Sequence, residues 1–434
     1  MKIKSIKALE ILDSRGVPTL QVEVEGVLGK KVVVGKSRVP SGKSTGSYEA
    51  VELRDNDAKR YGGKGLKKAV DLVNKVLCKK FKGISVRNVA GIDEYLLEFD
   101  SSPNKFKIGG NVSLGISVAT AKAFTDIYNI PLYKAIRAFF DTRLKPFFRM
   151  NDKYFIPTPL FNVYNGGAHS DNNISIQEFL IIPKGIRKYS NQLRAAAEIY
   201  QILKSHLRTH GFHTGIGDEG GFSANQETDQ AVLEILEKSV NASGYKWGNE
   251  IYIGLDVAIS QFFGGGECSY FIPNWRKGGF CGDFKDLTRE YLRWISRWPI
   301  ILIEDPFSED DWGGWSQFLN ILKEKKLNVL LVGDDLIATN YKRLLKAINL
   351  EAINAIIVKP NQVGTLTETF NTCVLAKENG IKIIASHRSG DTDDTFIVDL
   401  AVGVGAEYYK GGAPVRGERT VKYNRLLEIE REIS

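Results

Sequence analysis

The 434-residue sequence predicts a modified (β/α)8-type barrel, of the α/β class, behind a smaller N-terminal α+β domain. In the second part of the chain, short apolar runs end in charged residues and alternate with helical patterns, which is typical of parallel strands covered by helices. Most of these runs lie one strand-plus-helix unit apart. A charged stretch with a proline, residues 142–153, separates them from the first part. We therefore predict a capping domain over residues 1–145 and a barrel over residues 146–434.

The N-terminal part reads as three strands followed by two helices. Apolar residues predict strands at 8–12, 20–24 and 32–34, and turn signals such as DSRGVP make a small antiparallel sheet the natural arrangement. Apolar residues at helical spacing predict one helix over Lys64–Cys78 and a second helix that Asn111 caps.

Each predicted barrel strand finishes in a residue that can do chemistry. The runs are IYIGLD, PIILIED, VLLVGDD, AIIVK, IKIIASH and AEYYK, which supply Asp256, Glu304, Asp334, Lys359, His387 and Lys410. Because the active site of such a barrel is built at the carboxyl ends of its strands, these side chains are expected at one site.

Composition excludes several classes of protein. With 43% hydrophobic and 25% charged residues, the chain is an ordinary globular protein. Its four cysteines show no CxxC spacing and no disulfide-rich framework, which favours the reducing cytoplasm. No apolar stretch is long enough for a bilayer, and MKIKSIKALEIL lacks the apolar core of a signal peptide. The net charge of +8 could attract a polyanion, but the basic runs are short and contain no aromatic residues, which disfavours nucleic acid.

The acids at three consecutive strand ends, Asp256, Glu304 and Asp334, predict a Mg²⁺ site, because hard carboxylate oxygens suit that ion. For any one of them, capping the next helix is an equally good interpretation. Lys359 and Lys410 follow on later strands. A lysine near a divalent cation and another ammonium has its charged form disfavoured, so it can act as a base near neutral pH.

Further polar residues lie in flexible surroundings. Glu178 in SIQEF and Glu219 in GIGDEGGF stand near glycines that let the backbone approach a ligand, and His169 in NGGAHSD is in a similar loop. The motif SHRSGD offers a histidine, an arginine and a serine as a compact clamp for an anion such as phosphate.

The histidines of SHLRTHGFH, at positions 206, 210 and 213, raise the possibility of zinc through their i, i+4 pair. The glutamate of an HExxH site is missing, and a helix end closed by Gly211 explains the residues equally well.

The stretch SRVPSGKST ends like a phosphate-binding Walker A loop, but Ser37 stands where the first glycine belongs. The residues that follow are a poor match to the helix that should receive phosphates. We interpret the stretch as a loop that contains Gly42, Ser44 and Gly46.

In chain order, these segments resemble the enolase family, glycolytic dehydratases that convert 2-phosphoglycerate to phosphoenolpyruvate. The motifs that carry the resemblance are DSRGVPT, PSGKSTG, NGGAH, QEF, GDEGG, IEDPFSEDDW, GDDL, KPNQVGT, SHRSGD, KGGAP and GAPVRGER. They cover nearly the whole chain. The resemblance implies an N-terminal α+β cap on a modified barrel, two Mg²⁺ ions per active site, and a homodimer or homo-octamer.

Matched position by position, the resemblance also implies roles. Lys359 would be the base that removes the C2 proton, and Glu219 the acid that assists loss of the 3-hydroxyl. Asp256, Glu304 and Asp334 would hold the structural Mg²⁺, with Ser44 helping to hold the second ion. The further residues implied in catalysis or substrate binding are Glu178, His387, His169, Gln177, Arg388, Ser389, Lys410 and Gly42.

Three positions depart from the family pattern: Lys43, Asp391 and Gly411 stand where a small residue, a glutamate and a threonine are usual. The glycine-rich segment Gly264–Asp283, with Cys268 and Cys281, also fits poorly and is expected to be a divergent loop near the site.

Two other functions are compatible with the resemblance. Another reaction of the same superfamily, such as racemisation or cycloisomerisation of a carboxylate, would share the metal ligands, but SHRSG, GDEGG and the Ser44 loop suit a phosphorylated substrate. A binding protein on the same scaffold, which could use its basic surface at the cell exterior, is disfavoured because every catalytic residue is present.

Overall fold

The computed structural model describes residues 1–43, 47–264 and 268–434. The chain forms two compact units. The first comprises Met1–Phe155, Ala338–Leu344 and Val358–Ala406, and the second comprises Ile156–Ile337, Leu345–Ile357 and Glu407–Ser434. The domain boundary near residue 145 stays a prediction.

The strands are β1 Lys2–Leu12, β2 Pro18–Leu28, β3 Lys31–Arg38, β4 Thr158–Asn165, β5 Glu178–Ile182, β6 Tyr252–Asp256, β7 Tyr270–Ile272, β8 Phe280–Gly282, β9 Ile300–Glu304, β10 Leu330–Gly333, β11 Ala355–Val358, β12 Lys382–Ser386 and β13 Tyr408–Gly412. The α-helices are α1 Lys67–Asp71, α2 Cys78–Lys80, α3 Asp93–Phe99, α4 Gly110–Tyr128, α5 Leu132–Arg143, α6 Tyr189–Thr209, α7 Asp229–Ala242, α8 Phe284–Arg297, α9 Trp312–Glu324, α10 Tyr341–Asn349, α11 Leu366–Glu378, α12 Phe396–Gly403 and α13 Gly417–Ile433. A π-helical segment, Leu72–Leu77, joins α1 to α2. Short 3₁₀ turns occupy Tyr61–Gly63, Pro146–Phe148, Gly167–His169, Ile259–Phe262 and Pro360–Gln362.

The N-terminal sheet has the predicted antiparallel order β1-β2-β3. Its buried face packs on α4, and Gly35 of β3 permits the close approach. A Cβ atom at Gly35 would lie 2.0 Å from the carbonyl oxygen of Ala119, so a larger residue would force the helix away. The three predicted strands are confirmed.

The two predicted N-terminal helices differ in outcome. The helix predicted over Lys64–Cys78 is confirmed as α1, the π-helical segment and α2. The prediction that Asn111 caps the next helix is wrong, because α4 begins at Gly110 and Gly109 is its N-cap. Asn111 Oδ1 instead accepts from the backbone N–H of Leu53 at 2.9 Å, which ties a neighbouring segment to the helix start.

The closed barrel has the strand order β10-β11-β12-β13-β4-β5-β6-β9. All six runs predicted as strands are barrel strands, so the predicted fold class is confirmed. The parallel arrangement expected for these runs is confirmed for β6, β9, β10 and β11. The barrel also contains β5, which is antiparallel to both β4 and β6. Between β4 and β5 the chain forms only a 3₁₀ turn, without a crossover helix. Two neighbouring strands can be parallel only if a crossover connects them, so β5 runs antiparallel to β4.

The reversed strand aligns four polar residues, which we call the polar row: Asn165, Glu178, Asp256 and Glu304. Asn165 pairs with Glu178, Glu178 with Asp256, and Asp256 with Glu304. Because β5 runs against its neighbours, its first residue lies beside their last residues. The backbone register thus brings the four side chains to one level of the barrel.

The divergent segment forms a hairpin of β7 and β8, in which Phe271 pairs with Cys281. Cys268 and Cys281 are joined by a disulfide bond, which the sequence did not predict. Trp275 stacks on Trp294 of α8 with ring centroids 4.4 Å apart, and the Tyr270 hydroxyl donates to Asp311 Oδ2 at 2.8 Å. Residues 265–267 of the segment lie outside the described residues.

Within the part of the chain that the structure describes, we find no helix with both the length and the apolar character needed to cross a bilayer.

Asp229, the first residue of α7, is a buried carboxyl. Its Oδ1 atom accepts from the backbone N–H groups of Ser175 at 2.8 Å and Ile176 at 3.2 Å. Burial raises the pKa of Asp229 from 3.8 to about 7, against the opposing effect of these hydrogen bonds. Below about pH 7, the protonated carboxyl is therefore the form that the folded state prefers.

We expect Asp229→Asn to flatten the pH dependence of the free energy of unfolding. The pKa of Asp229 is higher in the folded state than in the unfolded state. Asp229 therefore contributes fully to the free energy of unfolding below about pH 4, and this contribution is lost as the pH rises through about 7. A shift of ~3 units corresponds to at most about 4 kcal/mol. Asparagine keeps the acceptor and cannot ionise. Urea unfolding of both proteins at pH 5 and pH 8 measures the difference; an equal change in stability in both would contradict it.

Candidate active site

Lys410 of β13 lies among three buried carboxylates, and together they form what we call the carboxylate cluster. Its Nζ atom is 2.7 Å from Asp256 Oδ2, 2.8 Å from Glu304 Oε2 and 3.1 Å from Glu178 Oε1. Three of the four members of the polar row thus surround one ammonium group. The sequence placed Asp256, Glu304 and Lys410 at strand ends and Glu178 in flexible surroundings, and the structure brings the acids into direct contact with Lys410.

Electrostatics keep Lys410 charged. Burial by itself would lower its pKa, but the negative charges of Asp256, Glu178 and Glu304 raise it well above the usual value. The lowered pKa expected for a lysine beside a divalent cation concerns the site with the ion bound and stays a prediction. The ammonium of Lys410 is a fixed positive charge at the centre of the cluster.

His169 and Glu219 lie beside this cluster. His169 Nδ1 is 3.6 Å from Glu219 Oε1 and 3.8 Å from Glu178 Oε1. Burial, followed by the charge of Glu219, raises the pKa of Glu178 well above its usual value, and burial lowers the pKa of His169. Both shifts are in the direction that burial favours, toward the neutral form of the side chain.

The turn that carries Glu219 is fixed on several sides. The Glu219 carbonyl accepts from the Ala413 N–H at 2.9 Å, and the Gly220 carbonyl accepts from the Tyr200 hydroxyl at 2.6 Å. Asn162 Nδ2 donates to Glu219 Oε2 at 3.2 Å. The sequence did not identify Asn162 as a functional residue; its signal was an asparagine within an apolar run.

A second group of acids lies after β9 and β10. Asp305, Asp334 and Asp335 have oxygen atoms within 4.8 Å of one another. Asp305 accepts from the backbone N–H groups of Asp334 at 3.0 Å and Asp335 at 2.8 Å, and burial together with these two charges raises its pKa well above the usual value. Asp305 was missed in the sequence, although it follows Glu304 directly. Its contacts hold the backbone of the predicted ligand Asp334 in place.

The donor set fits a magnesium ion. Carboxylate oxygens are the ligands that Mg²⁺ prefers, and Asp256 and Glu304 already stabilise one cation, the ammonium of Lys410. Glu178 Oε2 is buried and accepts no hydrogen bond within the described ranges. Asp256, Glu304 and Asp334 stay the predicted ligands; neither of the two groups of close metal-ligand atoms in the described residues contains all three.

In the first unit, two predicted residues directly follow barrel strands. Lys359 follows β11, and its backbone N–H donates to Thr339 Oγ1 at 2.9 Å. The Thr339 hydroxyl donates in turn to Gln362 Oε1 at 2.6 Å, so the segment after β11 is held at two points. His387 follows β12 and is buried.

The predicted anion clamp is also in the first unit. The Arg388 guanidinium contacts Glu49 with both terminal nitrogens, at 2.8 and 3.2 Å, and Ser389 Oγ accepts from the Lys43 N–H at 2.9 Å. Arg15 Nη1 lies 3.4 Å from Ser389 Oγ and adds a second guanidinium; in the sequence, Arg15 is part of the turn signal DSRGVP. The structure thus places a carboxylate on the arginine that was predicted to bind an anion.

The remaining predicted residues have mixed outcomes. Gln177 Nε2 donates to Asp256 Oδ2 at 3.4 Å, and the Gly42 carbonyl accepts from Arg15 Nη2 at 3.5 Å. Ser44 lies outside the described residues, so its predicted role stays a prediction.

The three histidines at 206, 210 and 213 lie at the end of α6, which closes at Gly211 as expected. The His206 and His210 rings stack with centroids 4.3 Å apart. Neither group of close metal-ligand atoms found in the described residues contains these histidines.

One departure from the family pattern has a steric reason. A Cβ atom at Gly411 would lie 2.5 Å from the Tyr409 ring, so the usual threonine does not fit beside that ring. Asp391 is buried and its backbone bonds to Ser14 in both directions, at 2.8 and 3.1 Å.

The sequence was compared with known protein families. Residues 3–136 match the family described as Enolase, N-terminal domain, and residues 153–434 match Enolase, C-terminal TIM barrel domain. The second match covers more than half of the chain and coincides with the strands of the closed barrel from β4 to β13. The two matches have the order and the extent that the motifs predicted, and the chain belongs to the enolase family.

Proposed function

We propose that this protein catalyses the Mg²⁺-dependent, reversible dehydration of 2-phosphoglycerate to phosphoenolpyruvate. Membership of the family indicates a lyase-type enzyme with a small-molecule substrate. The observation that carries the proposal is the carboxylate cluster, in which Lys410 Nζ lies within 3.1 Å of Glu178, Asp256 and Glu304. Carboxylates grouped in this way suit a divalent cation, and a divalent cation beside the Lys410 ammonium would suit a reaction in which negative charge develops on a carboxylate.

The first step is removal of the proton at C2 by the neutral amine of Lys359. Its position directly after β11, with the backbone held by Thr339, supports this role because barrel enzymes place catalytic groups after strand ends. The product is an enolate with two negative charges on the former carboxylate, so cationic groups must stabilise it.

When bound, Mg²⁺ would stabilise those oxygens as a Lewis acid. The ammonium of Lys410 adds a fixed positive charge, which its carboxylate neighbours preserve. His169 and Gln177 are proposed to orient the substrate next to this charge, and burial lowers the pKa of His169, which favours the neutral ring.

The second step is departure of the 3-hydroxyl. Protonated Glu219 gives its proton to that oxygen, the C3–O bond breaks, and water leaves as the C2–C3 double bond forms. Glu178, whose pKa is raised, is proposed as the neighbouring acid that keeps a proton close to Glu219. Both carboxyls are buried, which excludes bulk water from the proton transfer.

The phosphate is assigned to Arg388 and Ser389, with Gly42, Ser44 and His387 completing the site. Arginine offers paired N–H donors that match phosphate oxygens, and the contact of Arg388 with both Glu49 oxygens shows the same paired geometry with a carboxylate.

The turnover assay tests the proposal. Purified protein with 2-phosphoglycerate and Mg²⁺ is expected to produce the ultraviolet absorbance of an enol phosphate, and a chelator is expected to abolish the signal until Mg²⁺ is restored. The 3-phosphoglycerate isomer is the control, because its hydroxyl and phosphate are exchanged. Absence of signal at every Mg²⁺ concentration would refute the proposed reaction.

A homodimer or homo-octamer, two Mg²⁺ ions per site and a cytoplasmic location stay predictions. Light scattering of the purified protein measures the first, and metal titration by calorimetry measures the second.

A further inference from the structure

Asn162 is a polar residue at the centre of an apolar strand. It lies in β4 between Phe161 and Val163, and all three side chains are fully buried. Its Oδ1 atom accepts no hydrogen bond from any residue that the structure describes. An unsatisfied buried acceptor lowers stability, and a leucine of similar size would avoid that cost. Packing therefore does not explain the amide.

The hydrogen bond that the amide nitrogen donates explains why an asparagine is present. Asn162 Nδ2 donates to Glu219 Oε2 at 3.2 Å, while Glu219 Oε1 is 3.6 Å from His169 Nδ1. The two oxygens of one carboxyl thus have different surroundings. The carbonyl oxygen of a protonated carboxyl is a better acceptor than its hydroxyl oxygen, so the amide N–H on Oε2 favours the proton of Glu219 on Oε1.

The backbone fixes this arrangement. Phe222 donates to the Val163 carbonyl at 2.9 Å, and Asn165 donates to the Phe222 carbonyl at 2.8 Å, so the turn after Glu219 is bonded to the same strand as Asn162. A Cβ atom at Gly221 would lie 2.6 Å from Asn162 Oδ1, so the turn packs directly on the amide.

We propose that Asn162 is a positioning residue that directs the proton of Glu219 to Oε1, the oxygen that delivers it to the leaving hydroxyl. The inference rests on the proposed function. The proton moves from Oε1 to the 3-hydroxyl oxygen, the C3–O electron pair leaves with water, and the electron pair of the C2 enolate forms the double bond. The resulting carboxylate of Glu219 keeps its hydrogen bond to Asn162.

The test separates the two steps of the reaction in Asn162→Leu. Exchange of the C2 proton in deuterated water requires the Lys359 step alone, whereas dehydration also requires Glu219. Loss of a hydrogen bond to a catalytic carboxyl is expected to lower kcat for dehydration at least about tenfold. Exchange and KM are expected to change by less than about threefold, so the ratio of exchange to dehydration rises.

Asn165→Leu is the matched control. Asn165 is on the same strand, is equally buried, and also has an Oδ1 atom without a partner among the described residues, but its Nδ2 atom donates to the Gln177 carbonyl. This variant is expected to lower both rates together.

An equal fall of exchange and dehydration in Asn162→Leu would overturn the proposal. If that variant does not fold, Asn162→Asp keeps the size and, when ionised, cannot donate; an unchanged rate ratio in that variant would also overturn it. A wild-type protein that shows neither exchange nor dehydration would refute the proposed function instead, so the two failures can be told apart.

Discussion

Replacement of Lys359 by alanine is expected to lower turnover of 2-phosphoglycerate by at least about a thousandfold, because a positioned general base contributes roughly 10²–10⁴ to the rate. Exchange of the C2 proton should be lost with it, since both processes begin with the same proton transfer. The fold should remain, because the Lys359 backbone contact to Thr339 does not involve the side chain. Steady-state absorbance and proton exchange in deuterated water measure the two losses.

Lys342→Ala is the control for this variant. Lys342 is an exposed lysine on α10 and lies outside the residues assigned to the reaction. Its removal is expected to leave turnover within about twofold, as is usual for surface substitutions. Appreciable turnover by Lys359→Ala, with an unchanged circular dichroism spectrum, would remove Lys359 from the role of base.

Replacement of Lys410 by methionine is expected to be the most destabilising of the proposed changes. Methionine has a similar length but no charge, so Glu178, Asp256 and Glu304 would lose the ammonium that lies within 3.1 Å of each of them. Removing one partner of a buried ionic group costs about 3–5 kcal/mol. Urea unfolding at pH 7 in the presence of a chelator measures the loss, and added Mg²⁺ should recover part of it because a ligand of the native state stabilises that state.

Lys105→Met provides the comparison. Lys105 is also buried, but its described carboxylate partner, Glu368 at 2.8 Å, is 29% exposed, so water can solvate the charge that remains. The loss in free energy of unfolding should be clearly smaller for Lys105→Met than for Lys410→Met. Equal stability losses in the two variants would show that the concentration of carboxylates around Lys410 is not what makes that residue important.

The sequence was a good guide wherever function follows from position at a strand end. Asp256 and Glu304 are the last residues of their strands, as predicted, because a continuous apolar run marks a buried strand and its last residue marks the face of the barrel. Lys410 was predicted at a strand end and lies at the third of the five positions of β13. The same rule could not identify Glu178, which begins its strand. Its identification came from the family resemblance, and the antiparallel direction of β5 supplies the physical reason.

The periodicity of apolar residues could not identify side chains whose role is to hold another residue in place. Asp305 holds two backbone N–H groups of the segment after β10, and Asn162 holds Glu219, yet neither contact joins residues close in sequence. Asn111 illustrates the converse. Local rules predicted a helix cap, and a contact with Leu53, 58 residues away, takes the same side-chain oxygen.

The Cys268–Cys281 disulfide likewise depends on three-dimensional structure. Four scattered cysteines gave no pairing pattern, and the bond forms because β7 and β8 return on each other. In this glycine-rich stretch, tertiary contacts such as the stacking of Trp275 on Trp294 favour the hairpin more than the strand propensity of its residues does.

The polar row makes the site sensitive to the length of its strands as well as to its side chains. Asn165, Glu178, Asp256 and Glu304 are neighbours through backbone pairing, and successive residues of a strand point to opposite faces. Deleting one residue within β5 or β6 would turn the functional side chain toward the outer helices and an apolar one inward, even though no functional residue had been removed. The catalytic capacity of such a barrel is therefore encoded partly in residue parity along its strands, which an insertion changes more severely than most substitutions do.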